Sequence, residues 1–541
     1  GQQWRVVGKL NPAHASLNEG GFDLQRHFIA QRVIGTLKIK QAVQIDQQCS
    51  LRQKIIDQFG EILSTRQNHG IIYALMFGER GRLSVEHIQL LQSTGLTHLI
   101  AISGLHIGIA YLIGYLCARL LQFFLPVKWI GENLPLFSGV IFALLYAWLS
   151  NFAIPATRAV FALLFWIYVR KQPFFCFPWQ WALWSIAGIL LFDPLAILSD
   201  SFWLSSFAVL AILYWFRIFP ISSTLSCHPI MGKIVPLIHL QIGLLILLIP
   251  IQVLLFNGIN VMSLFANLWF VPLITWGVVP VIFSTLLLPL RSWHNVAFGL
   301  IDNILEFGLR PLTYLSGFWT EINTMSIYTV FFCWVFAFII LFGWYKNYLG
   351  LLSCIGFLLF FTKSQNQHEE HDWCLTLLDI GHGLAVVMVQ NQQAVLYDTG
   401  NRWSDGSNAK RQIIPFLKHH QITPINVILS HNHLDHTGGT SDLIEAYPWL
   451  SLRSSFGQPN HLACYQGQRW QWGMLRFEVL WPDKLSEISH NNDSCVIQVS
   501  DGYRRLLLTG DLEKQGEKKL VLQNDGQLKA DILFVPHHGS N

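Results

Sequence analysis

Between Ser430 and Gly439 the chain reads "SHNHLDHTGG", which sets three imidazoles and a carboxylate within six positions. His431, His433 and His436 offer ring nitrogens and Asp435 offers oxygens, a mixed donor set that suits Zn²⁺ or Mn²⁺. Asp398 in "VLYDTG", Asp511 in "LLLTGDLE" and the pair His537 and His538 in "LFVPHHGS" each follow a short apolar run. Runs of that kind predict strands, so all of these residues are expected at strand ends. Each alone also reads as a cap or turn residue. Taken together, they predict a sheet whose strand ends converge on divalent metal, where water can be activated for hydrolysis.

The elements that must hold these side chains lie in the last third of the chain. "INVILS" predicts a buried strand ending at Ser430, and the glycines after His436 allow a tight entry into a helix. From 364 onward, strand-like runs alternate with turns: "CLTLLDI", "AVVMVQ", "AVLYDTG", "VILS", "SCVIQVS", "RRLLLTGD" and "DILFVPHHGS". Twelve of the 21 histidines fall here, and the polar stretch "SQNQHEEHD" marks the boundary. This predicts a separate soluble domain over 364–541.

The rest is very different. The chain as a whole is 52% hydrophobic and 13% charged, with a mean hydropathy of +0.39. Residues 97–363 hold only 17 charged residues in 267. Apolar runs at 99–125, 134–154, 159–169, 181–198, 202–219, 234–256, 261–289, 329–345 and 349–361 follow one another. A spanning helix needs about 20 apolar residues, so 94–363 is expected to be a polytopic α-helical membrane bundle. Trp179, Trp181, Tyr214 and Trp344 near run ends suit interfacial belts. The connections carry too few Lys or Arg to orient the bundle. Residues 1–93 are mixed, with β-type alternation in "RVIGTLKIKQAVQI" and helical spacing in "LRQKIIDQFGEIL". At 541 residues the chain exceeds one core. Nine scattered cysteines without a CxxC pair argue against a disulfide framework or a cysteine zinc site. A net charge of +4 neither demands nor forbids a nucleic-acid partner. A start at Gly1 and a stop just after "HHGS" read as a piece of a longer protein.

On these motifs the last third resembles the metallo-β-lactamase fold, a four-layer αββα sandwich with two metals. The resemblance implies His431 and His433 on one metal, Asp435, His436 and His537 on the other, and Asp511 bridging, with Asp435 and Asp511 as the catalytic carboxylates. Asp398 and His538 would stand behind the ligands, Asp398 orienting their loop. A third histidine for the first metal is expected near "SHNNDSCVIQV", where His490 is the candidate and Asn492 or Asp493 the alternatives. Paired cations would suit a phosphodiester, and equally an ester or an amide.

The wider chain resembles the ComEC family of competence proteins. The matching stretches occur in order: "LNEGGFDLQRHFIAQRVIGTLKI", "HLIAISGLHIGI", "PATRAVFALL", "DPLAILSDSFWLSSFAVLAI", "SLFANLWFVPLI" and "LLDIGHGLAVVM". Three departures stand out: His382 where Gln is usual, Leu384 where Asp is usual, and His433 where many members carry Asp. The resemblance implies an N-terminal OB-like module over 1–93, whose Arg26, Arg32, Lys38 and Lys40 would line a groove for single strands. It implies a cytoplasmic-membrane channel for single-stranded DNA, with the other strand degraded by the C-terminal domain on the outer face. Single-stranded DNA, duplex DNA or the non-transported strand, the lipid bilayer and other competence proteins would be its partners. Polar groups within membrane runs mark a pathway, and the candidates are Ser103, Gly104, His106 and Arg158, with Asp200, Asn257 and Asn267. Two competing functions are a membrane-anchored hydrolase of another phosphodiester or lipid, and a small-solute permease with an inactive tail.

Overall fold

The computed structural model describes residues 2–321 and 373–539, apart from 101, 127–129, 173, 174, 222–230, 257, 289, 405, 488, 525 and 527, with six isolated residues between 333 and 357. The chain forms two compact units, Gly1–Ala13 with Arg26–Cys354, and His14–Gln25 with Ile355–Asn541.

The first unit opens with two antiparallel strands, β1 (Gln3–Pro12) and β2 (Gly35–Asp46), paired from Gln3 opposite Asp46 to Pro12 opposite Gly35 with register shifts after Gln3 and after Val7. Almost every residue of both strands is exposed, including Trp4, Val7, Leu10, Ile39 and Val43. A barrel buries one face of its strands, and this ribbon buries neither. The OB-like module is therefore not seen among the described residues. Of the basic residues expected there, Arg26 pairs with Asp200 at 3.0 Å and Arg32 with Asp193 at 3.0 Å.

Among the described residues, four stretches are long and apolar enough to cross a membrane: Gly104–Gln122, Asp200–Ile218, Ile234–Phe256 and Ser263–Leu287. The apolar helix Asn133–Leu149 is shorter. The runs at 329–345 and 349–361 lie outside the described residues, save for a few isolated positions. In the helix Gly104–Gln122, Leu105, Leu112, Leu116 and Leu120 share an exposed apolar face, as lipid contact requires. Its other side meets Asn133–Leu149 through small residues. A Cβ at Gly114 would lie 2.8 Å from Ser138 O, and one at Gly139 would lie 2.9 Å from Tyr111 O. Close backbone approach of this kind is how helices associate in lipid, where apolar burial gives no drive. In Ser263–Leu287, the residues after Pro272 take a π turn, Leu273–Val278. Proline lacks the N–H that a regular helix would use there.

The second unit is a sandwich. Two short strands, β3 (Gly258–Asn260) and β4 (Trp319–Glu321), pair in the first unit. The second unit then supplies β5 (Cys374–Leu377), β6 (Val386–Gln390), β7 (Gln393–Tyr397), a small hairpin β8 (Arg402–Trp403) and β9 (Gly406–Ser407), β10 (Thr423–Leu429), β11 (Ser451–Ser454) and β12 (His461–Ala463). These form a six-stranded sheet, ordered β12-β11-β10-β7-β6-β5, with the hairpin outside it. The second sheet is β13 (Arg469–Trp472), β14 (Leu475–Trp481), β15 (Val496–Ser500), β16 (Arg505–Leu508) and β17 (Ile532–Leu533), in that order. Side chains alternate between faces along a strand, and here both faces are apolar. Val395, Tyr397 and Ile428 point between the sheets, with Phe477, Ile497 and Leu508 opposite. Leu396, Val427 and Leu429 point outward onto Ile413, Phe416, Leu417 and Leu443. On the far side, Val496 and Leu507 pack on Leu512 and Leu520, the latter in helix Lys514–Gln523. The layers are thus helix, sheet, sheet, helix, as the sequence led us to expect. Cys464 and Cys495 form a disulfide with Cα atoms 5.9 Å apart, which corrects the expectation against disulfides. Their 31-residue separation carries no recognisable spacing; closure of the two sheets brings them together.

Candidate metal centre

Strand direction explains why the ligand types converge. β7 and β10 are parallel neighbours, so the residues after them, Asp398 and Ser430–His431, leave the sheet at one edge. β16 and β17 are also parallel, so Asp511 and His537, which follow them, share an edge of the other sheet. Gly510 closes the gap between the two groups. Its φ is +56°, and a Cβ there would lie 2.8 Å from Ser430 Cβ, so only glycine fits.

His431, His436 and Asp511 are all buried, and their ligand atoms lie within 4.8 Å of one another. His436 Nε2 is 3.2 Å from Asp511 Oδ2 and 3.8 Å from Asp435 Oδ2. The His431 ring lies 4.3 Å from that of His436, tilted by 51°, and 4.5 Å from that of His433, edge-on, centroid to centroid. Behind these groups, Asp398 is fully buried and accepts the Ser430 N–H at 2.7 Å and the His436 Nδ1–H at 2.7 Å. Ser430 Oγ lies 3.0 Å from His431 Nδ1. Both rings therefore have Nδ1 tied to the fold and Nε2 turned toward Asp511 or the space beside it. A partner on the rear nitrogen fixes tautomer and ring orientation in this way.

His433, Asp435, His490 and His537 are not in the close group. Asp435 is met by His382, whose Nδ1 lies 3.2 Å from Asp435 Oδ2. Gly383 permits this approach, since its φ is +115° and a Cβ would lie 2.2 Å from Asp435 O. The sequence flagged His382 only as a departure from a family pattern. Leu384 packs against the core between the sheets. His490 is exposed, and its N–H donates to Asp493 at 2.9 Å. Asn492 bonds Glu513 at 2.9 Å. The neighbour that the sequence missed is Asn491, whose Nδ2 lies 3.3 Å from His537 Nε2. The His538 side chain lies outside the described residues.

The donor set fits divalent cations. His431 Nε2 is buried with no hydrogen-bond partner among the described residues. A buried nitrogen left so is costly, and a cation would satisfy it. Burial, helped by the adjacent His436, pushes the His431 ring down to about 3 and keeps it neutral for ligation. For His436 burial opposes the charge, but Asp398 and Asp511 outweigh it and lift the ring to about 10. A cation bound by this nitrogen would have to displace that proton. When bound, divalent cations supply Lewis acidity that lowers the pKa of water and offsets developing negative charge. The residues behind them hold the ligand nitrogens in place.

The pathway candidates of the first unit also meet in part. The Ser103 N–H donates to His106 Nδ1 at 3.3 Å, in the first turn of its helix. Gly104 faces Ala159, 3.6 Å from where its Cβ would be. The adjacent Arg158 is buried and bonds Ser201 O at 2.9 Å through Nη2. The stretches "SGLHI", "PATRAV" and "SDSFW" are thus neighbours. His106 Nε2 is buried without a partner among the described residues. Asn267 bonds Ser263 O within its own helix at 2.9 Å. Asn257 lies outside the described residues.

Residues 75–347 match the family model for the competence protein, and residues 378–541 match that of the metallo-beta-lactamase superfamily. The chain is 37% identical to "Uncharacterized protein YcaI" of Escherichia coli K12, over 100% of this chain and 72% of that protein. It is 33% identical to "Recombination protein 2" of Haemophilus influenzae, over 99% and 72%. It is 27% identical to "Competence protein ComA" of Neisseria gonorrhoeae, over 100% of this chain and 77% of that protein. The second unit has the fold of metal-dependent hydrolases and the ligand cluster to match, and the first has helices of membrane-spanning length. The order of these parts and the relatives that share it lead to one conclusion: this membrane protein belongs to the ComEC family of competence proteins.

Proposed function

We propose that residues 94–363 pass single-stranded DNA across the cytoplasmic membrane during transformation, and that residues 364–541 hydrolyse the other strand. In this reading His431 and His433 hold one cation, Asp435, His436 and His537 hold a second, and Asp511 lies between them, with Zn²⁺ or Mn²⁺ as the metal. Ser103, His106 and Arg158 belong to the DNA path, and other competence proteins deliver the duplex. A domain that degrades incoming DNA must meet it before the membrane does, so it faces outward. The observation that carries the reading is the buried group of His431, His436 and Asp511, with Asp398 behind it, in a chain of the competence family.

The test uses the full chain in nanodiscs with Mn²⁺ or Zn²⁺, offered end-labelled linear duplex DNA and, separately, a lipid phosphodiester. Cutting of DNA that Asp435→Ala abolishes is the expected result. Intact DNA beside a hydrolysed lipid would replace the reading with a membrane-anchored lipid hydrolase. Inertness toward both, with no metal bound, would leave a permease.

A further inference from the structure

Cys464 directly follows β12 and Cys495 directly precedes β15, so their bond joins the six-stranded sheet to the five-stranded one. Both residues are fully buried in the core between the sheets. The Cys495 N–H donates to Ser430 O at 2.7 Å. Ser455 Oγ donates to the same carbonyl at 2.7 Å, and Tyr397 Oη donates to Cys495 O at 2.7 Å. Cys464 N–H in turn bonds Ser454 O at 2.8 Å. Ser430 immediately precedes the ligand His431, and its own N–H is held by Asp398. Cys495 is therefore one of the few groups that fix where the ligand loop begins, and the disulfide fixes Cys495 against the opposite sheet.

We propose that Cys464 and Cys495 are covalently joined in the working protein, as a positioning pair for the metal centre, and that the bond is made on the oxidising side of the membrane. Formation is a thiol–disulfide exchange. The two thiols give two electrons and two protons to the disulfide of a donor oxidoreductase, the Cys464 Sγ–Cys495 Sγ bond forms, and the donor leaves as a dithiol. Such bonds persist outside the cytosol and are rare within it. The compartment half of the proposal rests on the outward orientation read above; the positioning half does not. The unit also carries its own reporter, Cys374, which is exposed and has a free thiol.

Cells carrying the full chain are quenched in acid, denatured, alkylated with N-ethylmaleimide and analysed by peptide mass spectrometry. Cys464 and Cys495 should be recovered linked, and alkylated only after reduction, while Cys374 is alkylated directly. Recovery of both as free thiols overturns the proposal. Metal affinity of the purified chain is then compared before and after reduction with a phosphine, and in C464A/C495A, by competition with a chelating indicator. Reduction should weaken binding about tenfold, the lower range for groups that orient ligands, with an unchanged far-UV spectrum. Equal affinity in the two redox states overturns the positioning role, and the reduced native chain answers even if the double variant does not fold. Finally, a membrane-impermeant maleimide is applied to cells with the cytoplasmic membrane intact. Labelling of Cys374 supports the outer face. Labelling only after lysis, with the two cysteines linked, overturns the compartment assignment and the orientation under the proposed function, but leaves the staple standing.

Discussion

Replacing Asp398 by Asn tests whether the metal centre is built from behind. The carboxylate accepts two hydrogen bonds at 2.7 Å, from Ser430 N–H and from His436 Nδ1–H. An amide of the same size has one acceptor oxygen. If that oxygen keeps the Ser430 N–H, the amide NH₂ faces His436 Nδ1 and donates to it. The neutral ring that ligation requires then carries its proton on Nε2, the nitrogen that faces Asp511, and that tautomer does not offer Nε2 to a cation. If the oxygen keeps His436 instead, two donors meet at Ser430 and the loop start shifts. A hydrogen bond to a charged group contributes about 1.5–3 kcal/mol, which corresponds to roughly a 10- to 150-fold change in a binding constant. Loss of groups that orient ligands typically falls in a similar range, about 10- to 100-fold in affinity. Zn²⁺ or Co²⁺ affinity of the full chain, measured against a chelating indicator, should fall by that factor while the near-UV spectrum of the metal-free protein stays native. Wild-type affinity in Asp398→Asn would refute the reasoning, because it would mean that the tautomer of His436 does not matter to binding.

Metal affinity should also rise with pH. His436 holds its proton up to about 10 in the metal-free protein, so a cation that takes its place must expel it, and affinity should gain up to about tenfold per pH unit below that value. Titrations at two pH values, or proton release into buffers of different ionisation heat, would measure this; an affinity independent of pH refutes it. Gly510→Ala should destabilise the second unit by about 1–3 kcal/mol, since a Cβ at φ +56° would press on Ser430, and bound metal per chain should fall with it. Chelation should lower the melting of the same unit by about 5–10 °C, given about 2.7 kcal/mol of linkage at a hundredfold excess over Kd and the size of the domain. In the first unit, Arg158→Lys keeps the charge but not the planar fork that reaches Ser201. It should lower transformation at least about tenfold at equal membrane abundance, and normal transformation would exclude Arg158 from the path.

The sequence exposed the chemistry better than its supports. Asp398, His431 and Asp511 were legible because each follows an apolar run, and parallel pairing then brings such ends to one edge, while His436 was legible from its close spacing to His431, His433 and Asp435. β11 and β12 were not legible: "SLRS" and "HLA" are too short and too polar to show a period. β13 and β14 are clearer in retrospect, with Trp and Phe in alternation. His490 was expected on sequence position alone, but the 3₁₀ turn Asn491–Asp493 leaves it exposed and brings Asn491 to His537. The contacts of Asp435 with His382 and of Cys464 with Cys495 join loops far apart in the chain, and no local pattern announces such contacts. The OB-like expectation came from the family resemblance; the alternation in "RVIGTLKIKQAVQI" predicts the strand seen as β2, but not the number of strands that pair.

The segment His14–Gln25 belongs to the second unit although its neighbours on both sides belong to the first. Asn18 binds the Asp379 backbone twice, giving its amide to the carbonyl at 2.7 Å and taking the N–H at 2.8 Å. Asp379 stands three residues before His382, on the same loop. A hydrolase domain cut out at residue 364 would thus leave behind a strut of its own wall. A faithful excision would splice this dozen residues back on, and weak activity in a simple C-terminal fragment would say little about the intact protein.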